Sequence, residues 1–147
     1  MNWKIVLFGG LGHYFTLFVL SMLTAMVTHE GMLKELYQAT AAFWRPELRS
    51  DPPDMAALMP MWIGLGLLGS LVTAGVYDVF RKALHGPGWR RGLLFGITLG
   101  LLYATLYAGM YGVFDLPAFL WLVWAVEGLV LAAAGGAVLG LIVDKLD

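Results

Sequence analysis

Glu127 is the residue whose position most strongly suggests chemistry, because it is an acid within a long apolar run. It lies ten residues after Pro117. At about 1.5 Å per helical residue this places it about 15 Å deep, near the centre of a bilayer. A charged side chain at that depth costs at least about 2.5–3.5 kcal/mol. Glu127 is therefore expected to face other helices, to contact a partner or to stay protonated.

Three further polar side chains are expected near the depth of Glu127. His13 lies nine residues after Lys4, and Tyr103 and Tyr107 lie in the middle of another apolar run. Together the four side chains predict a polar layer. It would be a proton or cation site, a hydrogen-bonded niche for a small amphipathic ligand, or a contact with another subunit. The structural alternative is an interhelical hydrogen-bond clamp, which contributes about 1 kcal/mol per bond.

Enzymatic and metal chemistry find little support in the residues. His13, His29 and His85 lie mid-run, at the end of a run and in a loop, so they are not expected to meet at one metal. The chain has no cysteine, and no serine has a histidine and an acid at matching depth. We expect a non-enzymatic protein without a metal or a dedicated cofactor, although a bound lipid or pigment is left open.

The composition predicts an integral membrane protein. Apolar residues make up 60% of the 147 residues and charged residues 13%, against about 45–50% and about 25% in soluble domains. The net charge of −1 argues against a nucleic-acid partner. Four runs reach the length of about 20 residues that a spanning helix needs: 5–27, 55–77, 92–114 and 118–143.

These runs predict an all-α four-helix bundle, with residues 1–147 forming a single transmembrane domain. The first run has 23 residues, longer than the roughly 7–15 of a signal-peptide core, and is expected to be a retained span. Residues 31–44 have apolar residues at helical spacing. They predict a short amphipathic helix, either on the outer membrane surface or capping the end of the bundle. Asp51 is expected to cap the second span, with Pro52 at its first position.

Basic residues indicate the orientation of the chain in the membrane. Six of them fall on the side of the termini and of the loop 79–91, and three fall on the opposite side. The positive-inside rule then places both termini and this loop in the cytoplasm of a bacterial inner membrane. On the cytoplasmic side we expect Asp78 to pair with Lys82, four residues later.

Small residues recur every fourth position in the last two spans. Such ridges allow close approach of helices where lipid removes the hydrophobic incentive. We expect the third and fourth spans to pack directly through them. The residues are Gly92, Gly96, Gly100, Ala104, Ala108 and Gly112 in the third span, and Gly128, Ala132, Gly136 and Gly140 in the fourth.

The layout resembles a class of small, uncharacterised bacterial four-span inner-membrane proteins. The resemblance covers residues 52–143 and rests on Pro52-Pro53-Asp54, the glycine ladder from Gly92 with Tyr103 and Tyr107, and the glycine-rich final span. It implies a multi-pass inner-membrane protein and carries no established activity.

Three functional hypotheses follow from these features. The first is a non-enzymatic accessory or scaffold subunit of a larger membrane assembly, because ridges and aromatic residues outnumber any catalytic group. The second is a small homo-oligomeric transporter or channel that uses Glu127. The third is a membrane protein that binds a lipid or a pigment. The expected partners are the bilayer and other membrane subunits or further copies of the chain.

Overall fold

A computed structural model describes residues 1–146 and confirms the all-α fold. Four long helices are joined by a connector of short helices and by two short loops. The helices are α1 (Ile5–Met32), α2 (Lys34–Ala39), α3 (Pro46–Arg49), α4 (Met55–Phe80), α5 (Gly88–Tyr111) and α6 (Ala118–Leu146). Helix α1 begins and ends in a π-helical turn.

The four long helices have the length and the apolar composition of membrane spans. They contain 24 to 29 residues, and their most apolar windows have a mean hydropathy of 1.7 to 2.1. At about 1.5 Å per residue they measure about 36–44 Å, longer than the hydrocarbon core of about 30 Å. Their outward side chains are mainly Leu, Val, Phe and Met. The chain is therefore a multi-pass membrane protein.

Helix α5 and helix α6 approach each other at backbone distance in one half of the bundle. The ridge Gly88, Gly92 and Gly96 lies against Gly140, Gly136 and Ala132. A Cβ atom at Gly92 would overlap the carbonyl oxygen of Gly136, and one at Gly96 would overlap that of Ala132. Glycine is therefore required along this seam by contact rather than by backbone conformation.

The two helices separate towards their other ends. Ala108 is exposed, and a Cβ atom at Gly109 would have no neighbour within 4 Å. The ring of Tyr107 lies beside Gly128 and reaches Trp121 and Trp124, with 6.3 Å between ring centroids in each pair. Aromatic rings thus occupy the space that opens where the glycine seam ends.

The hydrophobic core lies at the end of the bundle that carries both termini, which we call the terminal end. All four spans contribute to it through Ile5, Ala74, Tyr77, Phe95, Leu139 and Val143. Helix α1 lies between α4 and α6 and contacts both along its length, whereas α4 meets α5 chiefly through the rings of Tyr77 and Phe95.

Charged side chains at the terminal end are paired with neighbouring elements. Asp78 accepts a hydrogen bond of 2.6 Å from the Asn2 amide and pairs with Arg81 at 3.0 Å. The expected partner Lys82 was wrong, because the helix tightens to a 3-10 turn at Arg81–Ala83 and brings residue i+3 over the carboxylate. On α6, Asp144 accepts from the Gly88 amide and pairs with Arg91. These bonds join α4 to the N-terminus and α5 to α6.

The start of α4 differs from the sequence prediction. Asp54, not Asp51, is the N-cap, and its side chain accepts a hydrogen bond of 3.1 Å from the Ala57 amide. The helix begins at Met55 and continues through Pro60 in its second turn. The prolines at 52 and 53 therefore form the approach to the helix rather than its first turn.

The connector between α1 and α4 lies at the opposite end of the bundle, the connector end. The predicted helix 31–44 is broken at Thr40, where α2 gives way to a 3-10 turn at Ala41–Phe43. Leu33 is fully buried, and the indole of Trp44 folds back to donate to the Tyr37 carbonyl at 3.2 Å. Of the two interpretations given above, these contacts favour a cap on the end of the bundle.

The glycine seam gives a first prediction. Replacing Gly96 by Ala should lower the free energy of unfolding by about 1–3 kcal/mol, because the added methyl group has no space against Ala132. Gly109→Ala, on the same helix where the space is open, should leave stability unchanged or raise it by up to about 1 kcal/mol. Unfolding of the detergent-solubilised protein measures both, and an equal loss in the two variants would contradict the seam.

Candidate functional site

The carboxylate of Glu127 joins α6 to the end of α1. The Thr28 hydroxyl lies 3.1 Å from its Oε1 and shares its single hydrogen with the Thr24 carbonyl at 2.9 Å, and Nε2 of His29 lies 3.2 Å from its Oε2. The Glu127 side chain is 10% exposed and the His29 side chain 38%. Both carboxylate oxygens therefore have a polar neighbour, and the carboxylate is largely buried.

The imidazole of His29 links Glu127 to the connector. Its Nδ1 lies 2.6 Å from the hydroxyl of Tyr37, which also accepts a hydrogen bond of 2.9 Å from Nε1 of Trp124. If Tyr37 donates its single hydrogen to Nδ1, the neutral ring carries its hydrogen on Nε2 and donates to Glu127. Every group in this chain of contacts then has a partner of the right kind.

The same contacts accept a protonated histidine. Both ring nitrogens then donate, one to Glu127 and the other to the second lone pair of the Tyr37 oxygen. The bond to Glu127 becomes charge-assisted, and such bonds are shorter and stronger than neutral ones. The hydrogen-bond geometry therefore fits either form of the imidazole.

Tyr37 fixes the connector onto the bundle. Its ring stacks on His29, with 5.8 Å between centroids, and meets Trp44 edge-on at 5.2 Å. Burial raises the pKa of the Tyr37 hydroxyl, the hydrogen bond from Trp124 opposes this, and the negative charge of Glu127 raises the pKa further. The neutral phenol is thus the form that the fold favours.

The structure separates the four residues of the predicted polar layer. Tyr107 lies level with Glu127, since its ring touches α6 at Gly128. Tyr103 is 44% exposed on α5. His13 is buried, with Nδ1 3.2 Å from the Ser70 hydroxyl, and its ring lies against Gly135.

Helix length explains the separation of His13 from Glu127. Gly135 lies eight residues beyond Glu127 on α6, which is about 12 Å along the axis. In the sequence prediction, the depths of His13 and Glu127 were counted from opposite ends of two antiparallel helices. Because α1 and α6 contain 28 and 29 residues, equal distances from opposite ends do not meet at one level. The partner of Glu127 is instead the end of α1.

Four residues of the site were not identified from the sequence: Thr28, His29, Tyr37 and Trp124. His29 lies outside the predicted span 5–27, whereas the structure extends α1 to Met32. The sequence did contain one signal for His29. A first helix longer than the predicted 23 residues would have brought its polar end to the level of Glu127, ten residues after Pro117. Tyr37 and Trp124 carry no such signal, because their meeting depends on how the connector folds back.

Comparison of the chain with family models, curated proteins and solved structures gives no significant match. The site must therefore be interpreted from its own chemistry. Within residues 1–146 no group of three His, Cys, Asp or Glu side chains could hold a metal ion. The arrangement ties α1, α2 and α6 together at one point.

Removal of the Tyr37 hydroxyl tests the link to the connector. Tyr37→Phe leaves Trp124 Nε1 and His29 Nδ1 without their partner and should destabilise docking of the connector by about 1–3 kcal/mol. Faster hydrogen exchange of the amides of α2 would report this. Tyr111→Phe, at an exposed tyrosine, is the matched control and should not change the exchange.

The raised pKa of Tyr37 sets the pH range of this effect. The fold favours the neutral phenol, so the contribution is fully present below the unfolded pKa of about 10 and is lost as pH rises through the higher folded pKa. The difference between wild type and Tyr37→Phe should therefore persist at pH 8 and shrink in strong alkali. A difference that is independent of pH would contradict this assignment.

Proposed function

We propose that the chain is a non-enzymatic accessory or scaffold subunit of a larger membrane protein assembly, and that α4 carries its docking face. The outward surface of α4 supports this proposal most directly. Helix α4 lies along α1, but within residues 1–146 it shares no extended interface with α5 or α6. Only 11% of its most apolar window is buried, the lowest value among the four spans.

Two glycines on α4 lack the internal explanation that the α5–α6 glycines have. At Gly64 and Gly69 an added Cβ atom would have no neighbour within 4 Å. Glycine in a helix costs up to about 1 kcal/mol relative to alanine. At about 100° per residue the two positions lie about 140° apart on the outward surface of α4, so each is a separate point of bare backbone. Small residues of this kind allow close approach of another helix in membranes.

The geometry of Glu127 ranks the other two hypotheses lower. Transport needs a carboxylate that exchanges its partners, whereas both oxygens of Glu127 are engaged by Thr28 and His29. A pigment bound through His13 needs a free ring nitrogen facing open space, whereas this ring is buried between Ser70 and Gly135. The contacts of Glu127 and His29 hold the connector in place. A fixed connector suits a subunit that docks through a surface of constant shape.

Alanine at both open glycines tests the docking face. The Gly64→Ala, Gly69→Ala variant should lose the membrane proteins that co-purify with wild type in mild detergent. The isolated chain should remain at least as stable, since alanine meets nothing in the chain and favours the helix. Native mass measurement of the solubilised particle reads the composition.

Gly109→Ala serves as the control for this experiment. It fills an equally open position on α5, outside the proposed face, and should leave co-purification unchanged. Purification of wild type as a lone monomer under mild conditions would contradict the accessory role, as would unchanged co-purification in the double variant.

The proposal includes a location in a bacterial inner membrane with both termini in the cytoplasm. It is supported by the basic residues at the terminal end, where Lys4, Lys82, Arg90 and Lys145 are exposed. Because the chain has no cysteine, single cysteines report its orientation directly. A membrane-impermeant thiol reagent applied to intact cells should label Ser50→Cys and spare His85→Cys, and the reverse pattern would overturn this orientation.

A further inference from the structure

A groove of about 700 Å³ opens at the connector end, apart from the Glu127 site and from the outward face of α4. One wall is the connector around Thr40 and Phe43, and the other is residues 111–118, which join α5 to α6. Its volume lies within the range of about 300–1,000 Å³ that small-molecule sites occupy.

The wall formed by the α5–α6 loop is held by the fold. Leu116 is 8% exposed and anchors the loop in the bundle. The amides of Val113 and Phe114 both bond the Met110 carbonyl, at 2.9 and 3.0 Å, and the Leu116 amide bonds the Phe114 carbonyl at 2.9 Å. The wall is therefore preformed, which lowers the entropy lost when a ligand binds.

The electrostatics of the groove are negative. Asp115 is the only charged side chain among the described residues that line it, and it is exposed. The groove also receives the C-terminal end of α5, where the helix dipole is negative. The whole connector end has six acidic residues (Glu30, Glu35, Glu47, Asp51, Asp54 and Asp115) against three basic ones (Lys34, Arg45 and Arg49). This surplus attracts cations and repels anions.

Two of the three basic residues of the connector are already engaged. Arg45 pairs with Glu47 at 3.3 Å, and Arg49 donates to the carbonyls of Trp44 and Ala42 at 2.6 and 2.9 Å. These contacts turn the two guanidinium groups towards the connector itself. The carboxylate of Asp115 forms no ion pair with the third, Lys34, or with any other cation among residues 1–146.

Aromatic rings give the groove an apolar component beside its negative charge. Phe43, Tyr111 and Phe114 line it and remain 55%, 53% and 47% exposed. The faces of aromatic rings attract cations, by about 0.5–1 kcal/mol at exposed sites. A ligand that combines a positive charge with an apolar body would satisfy the carboxylate and the rings at once.

We propose that this groove binds amphipathic organic cations, with Asp115 contacting the charge and Phe43 and Phe114 contacting the apolar body. The ligand class follows from charge complementarity together with the exposed rings. The site is independent of the accessory role, because neither Gly64 nor Gly69 lines it.

Tetraphenylphosphonium is a suitable probe, because its charge is permanent and its body is apolar. Its affinity for the full chain in phosphatidylcholine nanodiscs is measured by equilibrium dialysis, with empty nanodiscs subtracted. Asp115→Asn should weaken binding about threefold to fivefold, the loss expected for one partly exposed opposite charge. Phe43→Ala should weaken it about twofold to fivefold through the loss of one ring contact.

Two controls make the result decisive. Asp51→Asn removes an exposed acid of the connector that does not line the groove and should leave the affinity unchanged. Triphenylphosphine oxide, a neutral molecule of similar shape, should bind more weakly and should not distinguish Asp115→Asn from wild type. Binding no greater than to empty nanodiscs, equal effects of the two acid variants, or equal binding of the neutral probe would each overturn the proposal.

Discussion

The backbone contact between α5 and α6 is the constraint on which the other features of this structure depend. Gly92 and Gly96 on one helix and Gly136 on the other leave no space for a methyl group, so the two helices are in backbone contact in the observed register. In lipid, such close contact replaces the hydrophobic force that holds a soluble bundle together. Once this register is set, the level of every residue on α6 is set with it.

The glycine seam also determines where the bundle can hold polar groups. Because the ridge ends near Gly100 and Leu129, the two helices separate towards the connector, and large rings fill the space. Trp121 and Trp124 stand in this region, with 5.3 Å between their centroids. Glu127 faces the end of α1 just beyond them.

The fold could be predicted from the sequence because hydrophobic length and helical spacing are local properties. The four spans and the direct contact of α5 with α6 required only run lengths and the spacing of small residues. The candidate site was harder to predict from the sequence, because the rotation of each helix about its axis and its axial offset from its neighbours are not local properties. The depths of Tyr107 and His13 were both counted from the cytoplasmic side, whereas that of Glu127 was counted from the opposite side. The ring of Tyr107 lies beside Gly128, next to Glu127 in the chain. His13 lies about 12 Å away, next to Gly135.

The distribution of polar groups along the bundle follows the cost of burying charge. In its tightly packed middle, His13 meets a neutral hydroxyl, that of Ser70, so neither side chain needs to carry a charge. Closer to the connector, the acid Glu127 meets an imidazole that is 38% exposed. At the terminal end, full ion pairs such as Asp78 with Arg81 occur at the helix ends.

The penalty for a charge falls from the middle of the membrane towards its surfaces. In the same direction the hydrogen-bond partners change from a neutral hydroxyl group to an imidazole and then to charged side chains. This gradient explains why the Glu127 site forms at the end of α1 rather than at the level of His13. A carboxylate there meets the partly exposed imidazole of His29, whereas the imidazole at the deeper level, that of His13, is buried and bonded to Ser70.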